Sequence, residues 1–389
     1  MISSRRDFLN FGLVTAYFAA CPVAFANVEN KILILIELSG ANDGLNTVIP
    51  YRDSGYRALR RNIGVPRNQT RTITRQYGLH PSLLNLSRLF EQGDLAIVQG
   101  LGYPNPVLSH FRSIELWERG GDGKSVDGEG WLNAALELIA DKKYVDAKAI
   151  NLDFNGDIFA GGVGGYLGPN AIGYEPPIMD PRDATVPIPE GFGSGLLDEI
   201  ITLREENHQS TKTLRNKLAA SKSAFTIGSG PLGSQLSRVC QILQSAANIP
   251  VFKVSIGSFD THISQYTTHG SLLRQLDISI AETVHVLKDL GLWENAIIMT
   301  YSEFGRRAKE NSSSGTDHGM AAPHFVLGGK VNGGVFGTKD VLGLMADNNL
   351  VFSLDYRALY NEILSKHFEF SKNKFSGFVS SDLKNLLKS

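Results

Sequence analysis

Late in the 389-residue chain, Gly315-Thr316-Asp317-His318-Gly319 sets a carboxylate beside an imidazole between two glycines. It follows the apolar run Ile297-Ile298-Met299-Thr300-Tyr301, which ends in Ser302-Glu303-Phe304-Gly305-Arg306. Carboxylate oxygens and imidazole nitrogens together are hard-to-borderline metal ligands. In open α/β sheets, ligand chemistry collects at strand tips. The pattern points to a metal or anion site at the C-terminal edge of a sheet. It is equally compatible with an Asp317 that caps a turn and a His318 that faces solvent.

Three further clusters carry similar chemistry. Glu37 stands ahead of Asn42-Asp43-Gly44. Ser109-His110-Phe111-Arg112 follows Gly102-Tyr103-Pro104-Asn105-Pro106. Ser258-Phe259-Asp260-Thr261-His262 is followed by His269, and His324 trails the Asp317-His318 pair. Each has a local explanation. Asp43 before Gly44 is a common turn pair, and Ser109 is a suitable helix N-cap. Asp260 and His262 suit an exposed loop, and Glu303 with Arg306 suits a surface ion pair of little value. Four chain-distant clusters at strand tips argue for more, because the tips of a parallel sheet face one edge and can meet there.

The elements around them support that arrangement. Lys31 to Leu38 is a nearly continuous apolar run, as in a strand buried on both faces of a parallel sheet. Leu95 to Val98, Ala149 to Phe154, Pro250 to Ile256, Ile297 to Tyr301 and Phe325 to Leu327 read as further strands. Helices are expected over 82–91, 111–118, 131–139, 194–222, 236–247 and 272–290. The last has a clear apolar stripe and Gly291 as its stop signal. Strands alternating with helices predict an α/β fold with a doubly wound, mostly parallel sheet and helices on both faces. Residues from about 155 to 195 are rich in Gly and Pro. Together with the polar helical stretch after them they read as an insertion, spanning about 155–230, in one domain over 27–389.

At the N-terminus, Arg5-Arg6-Asp7-Phe8-Leu9 precedes an apolar run from Phe11 to Ala20, the pattern of a twin-arginine export signal. That run is too short to span a bilayer. Ala24-Phe25-Ala26 suits cleavage after Ala26, with a periplasmic or secreted destination; lipidation at Cys21 is a minor alternative. With Cys21 removed, Cys240 is alone and reads as a buried small hydrophobe. A chain of ~360 residues buries enough surface to hold without disulfides. The net charge is −1 and no basic run exists, which gives nucleic-acid binding no electrostatic support. Nothing after residue 26 is apolar enough to be a transmembrane segment.

The stretches Leu38-Ser39-Gly40-Ala41-Asn42-Asp43-Gly44-Leu45-Asn46-Thr47-Val48-Ile49-Pro50, Gly102-Tyr103-Pro104-Asn105, Ser109-His110-Phe111, Phe259-Asp260-Thr261-His262, Ser302 to Arg306 and Gly315 to Gly319 carry a family resemblance. The chain resembles the twin-arginine-exported bacterial family catalogued as domain of unknown function 1501, itself similar to a branch of the alkaline phosphatase and sulfatase superfamily. The resemblance implies a sulfatase-like fold, one or two divalent ions (Zn, Mn, Mg or Ca) and a Ser or Thr nucleophile acting on phosphate or sulfate esters. Carried over by position, Ser109 is the nucleophile, with His110 beside it. Asp260, His262 and His318 hold one metal, with His269 a rival to His262. Asp43 (Glu37 second) and Glu303, with Asp317 in support, hold the other. Arg112 or Arg306 clamps the ester. Glu303 and Phe304 stand where the superfamily has Asp and His, which removes an imidazole from the second metal site. The implied function is hydrolysis of a small anionic ester. The alternative is a non-catalytic periplasmic binding or assembly protein on the same fold.

Overall fold

Seven consecutive residues, Ile32–Leu38, are all buried and form strand β1. Alternate side chains enter two separate cores, which is why the run shows no polar face. The chain is seen in a computed structural model that describes residues 30–125, 128–142, 144–153, 157–162, 164–169, 194–221 and 225–388. The residues read as an export signal, Cys21 and most of the Gly- and Pro-rich stretch lie outside the described residues.

The main sheet has nine strands. In chain order they are β1, β2 (Leu95–Gly102), β3 (Ala149–Asn151), β4 (Tyr166–Leu167), β5 (Val251–Ile256), β6 (Ala296–Tyr301), β7 (Ala322–Leu327), β8 (Gly334–Gly337) and β9 (Leu354–Asp355). Their order across the sheet is β8-β2-β7-β6-β1-β5-β3-β4, with β9 also on β2. β1 runs parallel to β5 and β6. β7 is antiparallel to both β6 and β2, which makes β2 parallel to β6. The C-terminal tips of β1, β2, β5 and β6 therefore share one edge. β7 reverses because no helix separates it from β6, and an antiparallel return needs no crossover.

Helices cover both faces. On one side, Ile34, Ile36, Phe252, Val254, Ile298 and Phe325 pack with α1 (Leu84–Glu91), α5 (Gly230–Gln244) and α6 (Gln265–Asp289). On the other, Leu33, Leu35, Val251, Met299 and Val326 pack with α2 (His110–Arg119), α3 (Asn133–Lys142) and α7 (Tyr356–Glu362). The remaining long helix, α4, spans Ser194–Ala220. Among the described residues no helix is long and apolar enough to cross a membrane. Two helices begin earlier than their apolar stripes. α5 takes Pro231 into its first turn, where a missing N–H costs nothing. α6 begins at Gln265, because Gln265 and His269 are buried among polar groups rather than in the core. Cys240 is free and buried in α5.

Beneath the sheet edge lies a closed ionic cluster. Lys253 of β5 is fully buried, with Nζ 2.7 Å from Glu118 Oε1, 3.0 Å from Glu37 Oε2 and 3.4 Å from Asp153 Oδ2. Tyr301 donates to Glu118 Oε1 at 3.0 Å. Burial pushes the Glu37 carboxyl up to about 7, against the opposing pull of Lys253. Three carboxylates around one ammonium tie β1, β5 and α2 together.

Candidate metal centre

The loop after β1 can approach the loop after β5 only because residue 40 is glycine. Its φ is +103°, and a Cβ there would lie 2.5 Å from the Asp260 nitrogen. The loop after β5 is itself constrained, with Ser258 at φ +74° and Ser264 at +48°. Backbone bonds from Ser264 and Gln265 to the carbonyls of Ser313 and Ser314 fix its far end. The loop after β6 opens into a short ribbon, Gly305–Arg306 against His318–Gly319. From the fourth tip, α2 begins at His110 with Ser109 as its N-cap residue.

Four side chains from these elements meet. His110, Asp260 and His318 offer ligand atoms that all lie within 4.8 Å of one another. His110 Nε2 is 3.1 Å from His318 Nε2, and His262 Nε2 is 3.0 Å from the same atom. Asp260 oxygens lie 3.5 Å from His110 Nε2, 2.9 Å from His262 Nε2 and 3.4 Å from His318 Nε2. All four side chains are partly exposed.

Their other ring nitrogens are already engaged. His318 Nδ1 donates to the Leu108 carbonyl at 2.9 Å. His110 Nδ1 donates to Glu303 Oε1 at 2.6 Å. His262 Nδ1 lies 3.5 Å from Asp317 Oδ1. A neutral imidazole with its proton on Nδ1 presents a lone pair at Nε2. Two neutral imidazoles so arranged would set the lone pairs of His110 and His318 against each other across 3.1 Å, a contact relieved by a metal ion bound to both or by a proton held between them as N–H···N. Four donors around a tetrahedral ion with bonds of about 2.0–2.1 Å stand ~3.3 Å apart. The measured separations scatter about that value, and the donor chemistry fits a divalent transition-metal ion. Outer partners on Nδ1 are the usual support of metal-bound histidine.

The electrostatics follow. The Glu303 hydrogen bond raises the His110 pKa above its ordinary value. Burial alone would raise Asp260, yet Arg306, His262 and His110 together hold its carboxyl below the usual carboxylate range. The Asn311 hydrogen bond does the same for Asp317. Phe304 is buried and packs its ring 4.9 Å from that of His110 and 4.7 Å from that of His318.

Not every expected residue reaches the cluster as assigned. Glu303 lies behind His110 rather than at its centre: Oε1 also accepts from the Gly40 N–H at 2.8 Å, and Oε2 sits 3.0 Å from Ser302 Oγ. Asp43, expected as a ligand, is instead fully buried against Arg60 and Gln265. Among the described residues it makes no hydrogen bond or ion pair to the cluster. Glu37 belongs to the Lys253 cluster. His269 bonds Asn42 Oδ1 at 2.9 Å, and burial lowers its pKa to about 4. His324 is buried among aromatic rings, 5.2 Å from the Trp117 ring. Arg112 pairs with Glu115 along α2. Arg306 is buried and directs its guanidinium to the carbonyls of Ala41, Gly40, Thr316 and Phe259 and to Asp260. It braces the loops and fixes Asp260, so it is not free to clamp a ligand. Ser109 is exposed, and its side chain makes no capping bond. Sequence reading missed Arg60, the partner of Asp43, and the Leu108 carbonyl. No local pattern marks either, because both pair across long chain separations.

A model of the family described as "Protein of unknown function (DUF1501)" matches residues 208–367. No curated protein matches the sequence. Among solved structures, the lipoteichoic acid synthase LtaP from Listeria monocytogenes is 11% identical, with 85% of this chain and 76% of that chain covered and a TM-score of 0.37. A protein in the alkaline phosphatase superfamily from Vibrio parahaemolyticus is 10% identical, with 79% and 62% covered and a TM-score of 0.32. The C-terminal periplasmic domain of EcEptC from Escherichia coli, in complex with Zn, is 8% identical, with 77% and 73% covered and a TM-score of 0.36. Similarity at this level assigns no activity. The resemblance to the domain of unknown function 1501 family is met by the family model itself, over a stretch that includes Asp260, His262, Glu303, Arg306, Asp317 and His318 and stops short of Ser109 and His110.

Proposed function

We propose that this chain is an exported hydrolase of phosphate or sulfate esters, centred on a divalent metal ion held by His110, His318 and Asp260 with His262 as a further donor. The observation that carries the reading is the convergence of imidazole Nε2 atoms at 3.0–3.1 Å while the opposite nitrogens of His110 and His318 are taken. An imidazole-rich set favours zinc, cobalt or nickel over magnesium or calcium, which prefer all-oxygen ligands. Such an ion, when bound, supplies Lewis-acid stabilisation of anionic oxygen.

The chain's own groups have separate parts. Glu303 and the Leu108 carbonyl keep the Nδ1 protons of His110 and His318 in place, and Arg306 fixes Asp260. Ser109 offers an exposed hydroxyl one residue from His110, in the nucleophile's part. Arg5-Arg6 and the apolar run behind it support export. The non-catalytic alternative draws on Arg306, which is buried and committed to the loop carbonyls and Asp260.

Mass spectrometry of the metals in the purified mature protein tests the centre, followed by a screen of phosphate and sulfate esters. We expect one stoichiometric transition-metal ion and ester turnover that Ser109→Ala abolishes. An ion without turnover favours the binding protein. No ion, even after reconstitution, removes the proposal.

A further inference from the structure

We infer that residues 50–77, with the loop after β8, form a docking site for an acidic polysaccharide, seated on Arg52, Arg67 and Lys339. The site stands apart from the metal centre and does not depend on it. Residues 51–75 hold seven arginines and a single acid, Asp53, in a chain whose net charge is −1. The arginines are spaced rather than consecutive, so no run marks them. Two are spent inside the fold. Arg60 pairs with Asp43, and Arg71 Nε donates to the Pro81 carbonyl at 2.7 Å. Arg52, Arg57, Arg61, Arg67 and Arg75 make no ion pair among the described residues. A single solvated cation says little. Arg52 and Arg67 are distinguished by where their side chains meet.

Their guanidinium carbons lie 5.8 Å and 5.6 Å from the centre of one ring, that of Tyr51. Tyr51 is buried, and its hydroxyl lies 3.2 Å from the carbonyls of Thr74 and Arg75, so the ring is a fixed platform for both cations. Arg52 also lines a cleft of about 290 Å³, with Lys339, Gln76, Asp53 and Asp340 around Tyr77. The Tyr77 hydroxyl donates to the Lys339 carbonyl at 3.0 Å and holds that residue at the cleft. Lys339 is exposed and makes no ion pair among the described residues. The two acids are partly spent: Asp53 accepts from the Gly55 N–H at 2.7 Å and Asp340 from the Gly343 N–H at 2.8 Å.

This mixture selects among polyanions. A guanidinium fork matches a sulfate or carboxylate group. The Gln76 amide and the other oxygens of Asp53 and Asp340 suit sugar hydroxyls, which alternate with the anionic groups along an acidic polysaccharide. Single-stranded nucleic acid needs exposed rings for stacking, and Tyr51, Tyr56 and Tyr77 are buried. A membrane surface needs apolar side chains to insert, and none of the exposed large hydrophobic residues falls within 50–77 or 338–342.

The test uses mature protein freed of metal by chelation, with a heparin hexasaccharide as probe and affinity read by calorimetry across a salt series. Arg52→Ser/Arg67→Ser/Lys339→Ser should weaken binding by roughly tenfold or more, and should flatten the slope of log affinity against log salt by about 0.7–0.9 for each cation removed. Its unfolding midpoint should match wild type, since all three residues are exposed. Lys212→Ser should change neither quantity, because α4 packs at the opposite, β4 edge of the sheet. No binding by wild type, or binding that the triple substitution leaves unchanged, would overturn the site. Duplex DNA or phosphatidylserine vesicles bound as tightly as the saccharide, and lost in the same variant, would overturn the assignment to a polysaccharide. With no metal present, either failure leaves the reading of the centre standing, and failure of the centre leaves this site standing.

Discussion

Two groups of charges sit at the same end of the sheet and are built on opposite principles. The Lys253 cluster is buried and closed: its ammonium touches three carboxylates, and Tyr301 caps one of them. The His110–Asp260–His262–His318 group is open to solvent, and its imidazole Nε2 atoms converge beside Arg306, which pairs with Asp260 and lies 3.4 Å from His262 Nε2. Buried charge is tolerated only when it is compensated within the fold. Facing donors at a half-exposed edge suit compensation from outside. The first group should therefore govern stability and the second should govern what is bound.

The largest effects would come from exchanging these roles. Asp260→Ala or His318→Ala should abolish stoichiometric metal, measured by mass spectrometry on the purified protein, and His318→Ala, which leaves the Arg306–Asp260 pair intact, should keep the unfolding midpoint of the metal-free form near wild type. Lys253→Met should do the reverse. Removing one partner of a buried ionic group costs ~3–5 kcal/mol, read from urea denaturation, while metal content in the folded protein stays intact. If Lys253→Met stripped the metal, or His318→Ala unfolded the chain, the division between the two groups would fail.

Glu303 stands on the boundary. It is nearly buried, like the closed cluster, yet it serves the open one by holding His110 Nδ1. Partners of this kind typically contribute 10–100-fold in metal affinity. Glu303→Gln should weaken zinc binding by about that factor in a chelator competition, less than loss of Asp260 does. A loss as complete as that of Asp260→Ala would make Glu303 a ligand, the part its strand-tip position suggests in the sequence.

That exchange of parts marks what the sequence can and cannot convey. β1 was legible because six of its seven residues are apolar, interrupted only by Glu37, which allows little else. The meeting of the four tips followed from sheet geometry, and Asp260, His262 and His318 were recognisable as residue types that bind metals. Partner assignment was not legible. Asp43 has the right chemistry for a ligand, but its fate is decided by Arg60, and nothing local announces that pairing. The start of α6 was hidden because Gln265 and His269 face polar groups, so the apolar period begins only at Leu272. The antiparallel β7 depended on residues 302–321 forming a ribbon instead of a helix, a choice made by tertiary contacts. Lys253 and Glu37 did leave a trace. Each is a lone charge of opposite sign inside an apolar strand.

The finest test concerns the closed cluster, where Glu37 is the member least at ease. Burial lifts its pKa from 4.5 to about 7, and Lys253 only partly offsets that, while Asp153 and Glu118 add to it. A group whose folded pKa lies above its unfolded one contributes stability that is complete below the unfolded value and is lost as pH rises through the folded value. Glu37 should therefore favour the native state below about pH 4.5, and that contribution should fade as pH rises through about 7. Glu37→Gln keeps the shape and removes the titration. Its melting temperature relative to wild type should rise between pH 5 and pH 8, by on the order of 2–4 °C. Zinc content should not change, because Glu37 touches no residue of the open group. A difference that stays flat with pH would mean that Lys253 holds Glu37 ionised throughout, and the closed cluster would then be fully charged at every pH at which the protein is folded.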